Sequence, residues 1–169
     1  MIALSELNSV STAKFVQLVG PLFEHSPWVA EATCTKRPFE SVDQLHRVLC
    51  GSVLAAGEQK QLALISAHPD LVGRAALAGT LTVASSREQA SAGLDTLTAE
   101  EVAAFQNFNA AYHKRFGFPF VICARLNKKE AILAAFPLRL RNSRDKEIKV
   151  ALEEIFKIAK LRLMDLIQG

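Results

Sequence analysis

The sequence predicts an all-α fold: a single domain spanning 1–169, an irregular multi-helix bundle with a short extended segment near 118–124. Three observations predict it. Apolar residues recur at helical spacing along most of the chain. Helix starts are marked by capping side chains followed three residues later by Gln or Glu. One β-prone run, Phe118-Pro-Phe-Val-Ile-Cys123, has no second run of similar strength to pair with. Prolines scattered between the periodic stretches keep the helices short and the bundle irregular.

The elements follow in chain order. Phe15, Leu18, Val19, Leu22 and Phe23 share a helical face, with Ser9 or Ser11 as the cap, and predict a first helix of about three turns. Ser26-Pro27-Trp28 puts a capping residue before a proline at the first helical position, so a short second helix starts there. Ser41 and Gln44 form a capping box ahead of Leu45, Val48, Leu49 and Val53, for a third helix ending near Gly57. A fourth runs from about Glu58 to Ala67, where Pro69 stops it. Thr98 and Glu101 box the start of the clearest helix, through Val102, Phe105, Phe108, Tyr112 and Phe116, with Gly117 as its left-handed terminator. Phe118–Cys123 then reads as a buried extended segment. Asn127 with Glu130 caps a helix that Pro137 kinks or ends, and Ser143 opens a last one through Ile148, Leu152, Ile155, Ala159 and Leu163.

Composition narrows function by exclusion. With 169 residues, half of them hydrophobic, the chain buries a core without disulfides or metal. A net charge of +3, dispersed along the sequence, argues against a nucleic-acid groove. Cys34, Cys50 and Cys123 form no C-x-x-C pair and suit buried thiols in a reducing compartment. The N-terminus lacks the basic and apolar regions of a secretory signal, and no apolar run is long enough to span a membrane. The C-terminal Leu-Ile-Gln-Gly169 carries no peroxisomal or retention tripeptide, so the expected location is cytoplasmic.

No Gly-rich phosphate loop, G-x-S-x-G or H-E-x-x-H occurs, and none of His25, His46, His68 and His113 is spaced to ligate metal with another. The expected site is therefore free of cofactor and metal, built from titratable side chains and backbone groups. His68 is the most informative histidine. Pro69 biases it to extended geometry at a helix end, where its ring can enter a cavity, and Asp70 is near enough to orient it. His113 sits near a helix C-terminus, where the dipole satisfies it. Ser85-Ser86-Arg87-Glu88-Gln89 has two compatible readings: an S-x-x-E capping box, and a helix start offering amides, a hydroxyl, a carboxylate and a carboxamide to a ligand rich in carbonyl and N–H groups. Arg162 falls on the inward stripe of the last helix, where it needs a partner or a cavity, or else snorkels.

Taken together, three separated motifs resemble the 2-oxo-4-hydroxy-4-carboxy-5-ureidoimidazoline (OHCU) decarboxylases of urate degradation: His68-Pro-Asp-Leu71; Leu81-Thr-x-x-Ser85-x-x-Glu88-Gln89-x-x-Ala92-Gly93-Leu94; and Phe116-Gly-Phe-Pro-Phe-Val-Ile-Cys123. Ser26-Pro-Trp28 strengthens the likeness. The resemblance covers essentially the whole domain. It implies an all-α homodimer without cofactor that converts OHCU to (S)-allantoin and CO2, with no nucleic-acid or membrane partner. Carried over by position, His68 and Glu88 are the implied catalytic residues. The implied substrate-binding set is Pro69, Ser85, Ser86, Arg87, Glu88, Gln89, the segment Phe120, Val121, Ile122, Cys123, Ala124, and Arg162. The C-terminus without a peroxisomal signal fits a bacterial, cytoplasmic member. A same-fold enzyme acting on a related ureide and a non-catalytic helical ligand-binding module are the alternatives.

Overall fold

A computed structural model describes residues 1–168, with their side chains other than those of Ala75 and Gln168. Gly169, the end of the expected domain and of the C-terminal tetrapeptide, lies outside the described residues. The fold is all-α, as expected. The chain forms two compact units, one made of Met1–Ala67 together with the chain from Phe156 onward, the other of His68–Ile155.

In the first unit, β1 (Ile2–Ala3) pairs in parallel with β2 (Ile167–Gln168), Ile2 opposite Ile167. Neither this pairing nor the following α1 (Leu4–Ser9) was expected, since both are too short to show periodicity. α2 (Thr12–Val19) is capped by Ser11, whose hydroxyl accepts from the Lys14 N–H at 3.2 Å. It is shorter than the three turns expected, because Pro21 has no N–H to continue the ladder and the chain tightens into a 3-10 turn at Gly20–Leu22. α3 (Trp28–Cys34) begins one residue later than expected, after Pro27, and the Ser26 carbonyl accepts the N–H of Val29 at 3.2 Å. α4 (Val42–Ala55) is capped by Ser41, but the Gln44 carboxamide takes the Glu40 N–H and not that of Ser41, so the box is not reciprocal. α5 (Glu58–Ser66) ends where Pro69 dictates. Leu7, Phe15, Val19, Val29, Leu45, Leu49, Val53 and Leu64 are all fully buried. α3 packs against both α2 and α4.

The second unit holds α6 (Arg74–Leu77), again too short to anticipate, then α7 (Val83–Ser91), α8 (Ala99–Phe116), α9 (Lys129–Arg139) and the first part of α10 (Arg144–Leu166). The α8 capping box is complete in both directions. Gly117 terminates the helix at φ 80°, which a residue with a Cβ adopts only with strain. Two features of α9 differ from expectation. Lys128, not Asn127, is the N-terminal boundary of α9, because the Asn127 side chain donates instead to the Cys123 carbonyl at 2.9 Å. Pro137 does not end α9, which continues through it to Arg139. Around the buried extended segment, the Phe120 ring stacks on Phe136 with centroids 3.8 Å apart and meets Tyr112 edge-on at 5.3 Å. Cys34 and Cys123 are buried and Cys50 half-buried, all three as free thiols. Among the described residues, no helix is long and apolar enough to cross a membrane.

Candidate active site

A residue before proline is disfavoured in the α-region, and the chain from His68 to Gly73 forms a loop rather than a further helical turn. Side chains from two helices hold this loop by its backbone. The Asn109 carboxamide on α8 donates to the Leu71 carbonyl at 2.8 Å, and the Val72 N–H donates to Gln89 Oε1 on α7 at 3.3 Å. One turn on from Asn109, His113 Nε2 lies 2.7 Å from Asp70 Oδ1. Asp70 therefore orients His113, not His68 as the adjacency suggested; the pairing spans 43 positions. Val72 sits at φ 54°, a left-handed conformation costly for a β-branched residue. The turn closes with Gly73 N–H donating to Asp70 O at 3.3 Å, and a Cβ at Gly73 would lie 2.6 Å from that of Asp70. The outcome is a buried His68 on a loop fixed at three consecutive residues.

The Ser85–Gln89 segment differs from its sequence reading. Thr82, not Ser85, caps α7: its hydroxyl accepts from the Ser85 N–H at 3.2 Å and donates to the Ser85 hydroxyl at 3.0 Å. The expected box at Ser85 and Glu88 is therefore not formed; Thr82 stands at the extended position before the helix, and Ser85 already lies inside it. Helical geometry then sorts the five residues. Ser85 and Gln89, four apart, are buried on one face, Glu88 is half-buried beside them, and Ser86 and Arg87 are exposed.

The third segment is held by groups the sequence did not reveal. Arg139 Nη1 donates to the Val121 carbonyl at 2.6 Å, and its guanidinium lies 4.1 Å from the Phe120 ring centroid. Arg139 is in turn ion-paired at 2.9 Å with Glu147, a fully buried carboxylate that also accepts from the Tyr112 hydroxyl and, at 2.7 Å, from Asn142 Nδ2. Burial, followed by the Glu147 hydrogen bond, pushes the Tyr112 hydroxyl well above the ordinary tyrosine pKa. On α10, Glu154 Oε2 accepts the Cys123 N–H at 2.8 Å. In extended chain, residues two apart present their peptide groups to the same side. Arg139 and Glu154 thus hold the segment at the Val121 carbonyl and the Cys123 N–H.

α7 packs on the 3-10 turn Ala124–Leu126, and the Lys129 N–H donates to Ala92 O at 3.0 Å. With the Gln89–Val72 bond, this brings His68 and Pro69, then Ser85, Glu88 and Gln89, then Phe120 through Ala124 into one unit. Arg162 belongs to the other unit. It is buried there, with Nη1 3.1 Å from Glu24 Oε2 and 3.3 Å from the Pro21 carbonyl, so the partner that its inward position required is an acid. Among the residues the sequence reading missed, Asn109 and His113 share a face of α8 at a spacing of four, the only signal of their common task. Glu24, Arg139, Glu147 and Glu154 carry none, because their partners are fixed by tertiary packing.

A family model for OHCU decarboxylase matches residues 8–164. The 2-oxo-4-hydroxy-4-carboxy-5-ureidoimidazoline decarboxylase of Haloferax volcanii is 42% identical over 164 residues, 97% of this chain and 95% of that protein. A crystal structure of (S)-allantoin synthase superposes with a TM-score of 0.81 at 30% identity, covering 99% of this chain and 54% of that one. A crystal structure of OHCU decarboxylase in the presence of (S)-allantoin has a TM-score of 0.69 over 84% of this chain and 92% of that one; at 24% identity this likeness speaks to the fold. The fold and the relatives together define an all-α carboxy-lyase. The chain belongs to the OHCU decarboxylase family of urate degradation.

Proposed function

We propose that this chain decarboxylates OHCU to (S)-allantoin and CO2 without a cofactor, with His68 as the proton donor. The observation that carries the reading is the convergence of three motifs, remote in sequence, on one unit: the His68 loop, the buried flank of α7, and the extended segment. The substrate's own chemistry supplies the electron sink. When the bond to the carboxylate breaks, its electron pair moves into the neighbouring carbon–nitrogen double bond of the imidazoline as CO2 leaves. A proton then adds to the ureido-bearing carbon and another to the ring nitrogen that received the electron pair, while the hydroxyl gives up its proton as the ring carbonyl forms. One proton is consumed overall, and an imidazolium re-protonated from solvent provides it. Imidazole suits this task because its ordinary pKa of about 6.5 keeps both forms populated near neutral pH.

Delivery to one face requires a fixed donor and a fixed substrate. Loop anchoring through Asn109 and Gln89 holds His68 and Pro69. Glu88 accepts from substrate N–H or hydroxyl groups. Ser85, Gln89 and the peptide groups of Phe120, Ile122 and Ala124 match the ureido and ring amides, and Val121 and Cys123 act by holding the segment. Ser86 and Arg87, exposed on α7, serve the site only through the backbone of the helix. The same reading includes a single functional domain, a homodimer, and a cytoplasmic location.

The test is the product's handedness. Freshly generated OHCU is followed by circular dichroism with wild-type protein, with His68→Ala, and without protein. Wild type is expected to yield excess (S)-allantoin, and folded His68→Ala to fall to the blank. Wild-type rates in the folded variant contradict the role of His68. Allantoin binding with no acceleration of OHCU loss favours the non-catalytic module, and turnover of another ureide alone favours a different substrate.

A further inference from the structure

Ser26-Pro-Trp28 strengthens the family likeness, yet none of the roles proposed above falls to Trp28, the single tryptophan of the chain. It opens α3 in the first unit. Ala32, one turn on, follows it on the same side of the helix, with Glu31 beside it and Lys36 in the turn after the helix ends. Facing them are Ser52 near the end of α4 and Lys60 in the first turn of α5, and these residues line an open cavity of about 520 Å³. That volume falls in the range of small-molecule sites.

Lysine ammoniums ordinarily project into water. Here two are held against the wall of one cavity. Lys36 Nζ donates to the Ser52 hydroxyl at 3.4 Å; Ser52 is 5% exposed, and its hydroxyl donates in turn to the Val48 carbonyl at 3.0 Å. Lys60 Nζ stands over the Trp28 ring, 5.2 Å from its centroid. Among the described residues, neither lysine has an ion-pair partner, nor has Glu31. The rest of the lining is the indole and alanine methyl groups. Two ammoniums against one carboxylate leave a single positive charge beside an apolar wall.

We propose that this cavity binds a small organic monocarboxylate. The carboxylate accepts from the unused ammonium hydrogens of Lys36 and Lys60, and its apolar body lies against Trp28 and the alanines. Glu31 disfavours a phosphate dianion, which calls for more positive charge than the lining holds. The site lies wholly within the first unit and does not depend on the decarboxylation reading.

Because Trp28 has no other tryptophan to mask it, its emission reports on this cavity directly. Octanoate is titrated beside octanamide, its neutral counterpart, and inorganic phosphate is tested as a competitor. Octanoate is expected to shift the emission saturably, half-maximally at about 1 mM or below, with octanamide and phosphate far weaker. Lys36→Gln and Lys60→Gln should each weaken octanoate by about fivefold, the ceiling for an exposed ion pair. Ala32→Leu, which fills the cavity, should abolish the shift. All three positions are exposed, so the variants should keep the fold, which far-UV circular dichroism verifies. No saturable shift, an equal response to octanamide, or phosphate competing as well as octanoate itself overturns the proposal. Native octanoate affinity in either folded lysine variant, or in Ala32→Leu, overturns it as well.

Discussion

Replacing Glu147 by Gln is the sharpest test of how the extended segment is held. The carboxylate is fully buried and receives donors from Tyr112, Arg139 and Asn142. The substitution keeps the shape but turns one acceptor oxygen into an NH2 facing donors, and it leaves the Arg139 guanidinium buried without its counter-charge. Breaking a buried pair from one side costs about 3–5 kcal/mol. Taking about 2 kcal/mol per molar for a small domain in urea, the unfolding midpoint should fall by roughly 2 M. The control is the double variant Arg139→Met with Glu147→Leu, which removes both charges and fills the space with apolar side chains. It should recover most of the lost stability, because an apolar replacement is often neutral or better. It should not recover ligand affinity, since the Val121 carbonyl still lacks the Arg139 donor found at 2.6 Å in the native protein. Urea denaturation followed by far-UV circular dichroism gives the first quantity and calorimetric titration with (S)-allantoin the second. A loss below about 1 kcal/mol in Glu147→Gln, or a double variant no more stable than the single one, would refute the energetic reasoning. Native affinity in the double variant would refute the link from Arg139 to the site.

Three further outcomes follow from features already described. Gly73→Ala forces a Cβ to 2.6 Å from that of Asp70 and should open the loop that carries His68, lowering kcat severalfold in a steady-state assay with little change in melting temperature. Glu101, held below the usual carboxylate range by Lys129 and then by the Thr98 N–H, adds stability that is present above its unfolded value and lost as pH falls through the lowered one; Glu101→Gln should flatten the acid limb of a melting-temperature profile below about pH 4.5. Burial pushes the Cys50 thiol up to about 11, so iodoacetamide at pH 8 should label it far more slowly than a free cysteine.

Legibility from sequence tracked the range of the interaction concerned. Ser11, Ser41 and Thr98 were readable as caps because their acceptors and donors lie within one turn, and Gly117 because a helix end needs a left-handed residue. Ser85 misled because Thr82, three residues earlier, offers the same hydroxyl and wins the cap. Asp70 misled because sequence adjacency to His68 is weaker evidence than a helix face many residues away. His68, Glu88 and Gln89 emerged through motif likeness, whereas Arg139, Glu147 and Glu24 did not, since a buried ion pair leaves no mark on local periodicity. α1, α6 and the pairing of β1 with β2 are simply too short to carry a periodic signal.

Val72 gives the site loop a position where selection for durability and selection for turnover diverge. Its left-handed backbone is maintained by Gln89 and by the bonds on either side of it. A laboratory search for heat-resistant variants would favour glycine or asparagine there, because both adopt that conformation at lower cost. A search scored on catalysis would favour whatever keeps the loop in one shape. Natural drift at this residue is therefore a readout of which pressure a given lineage has felt.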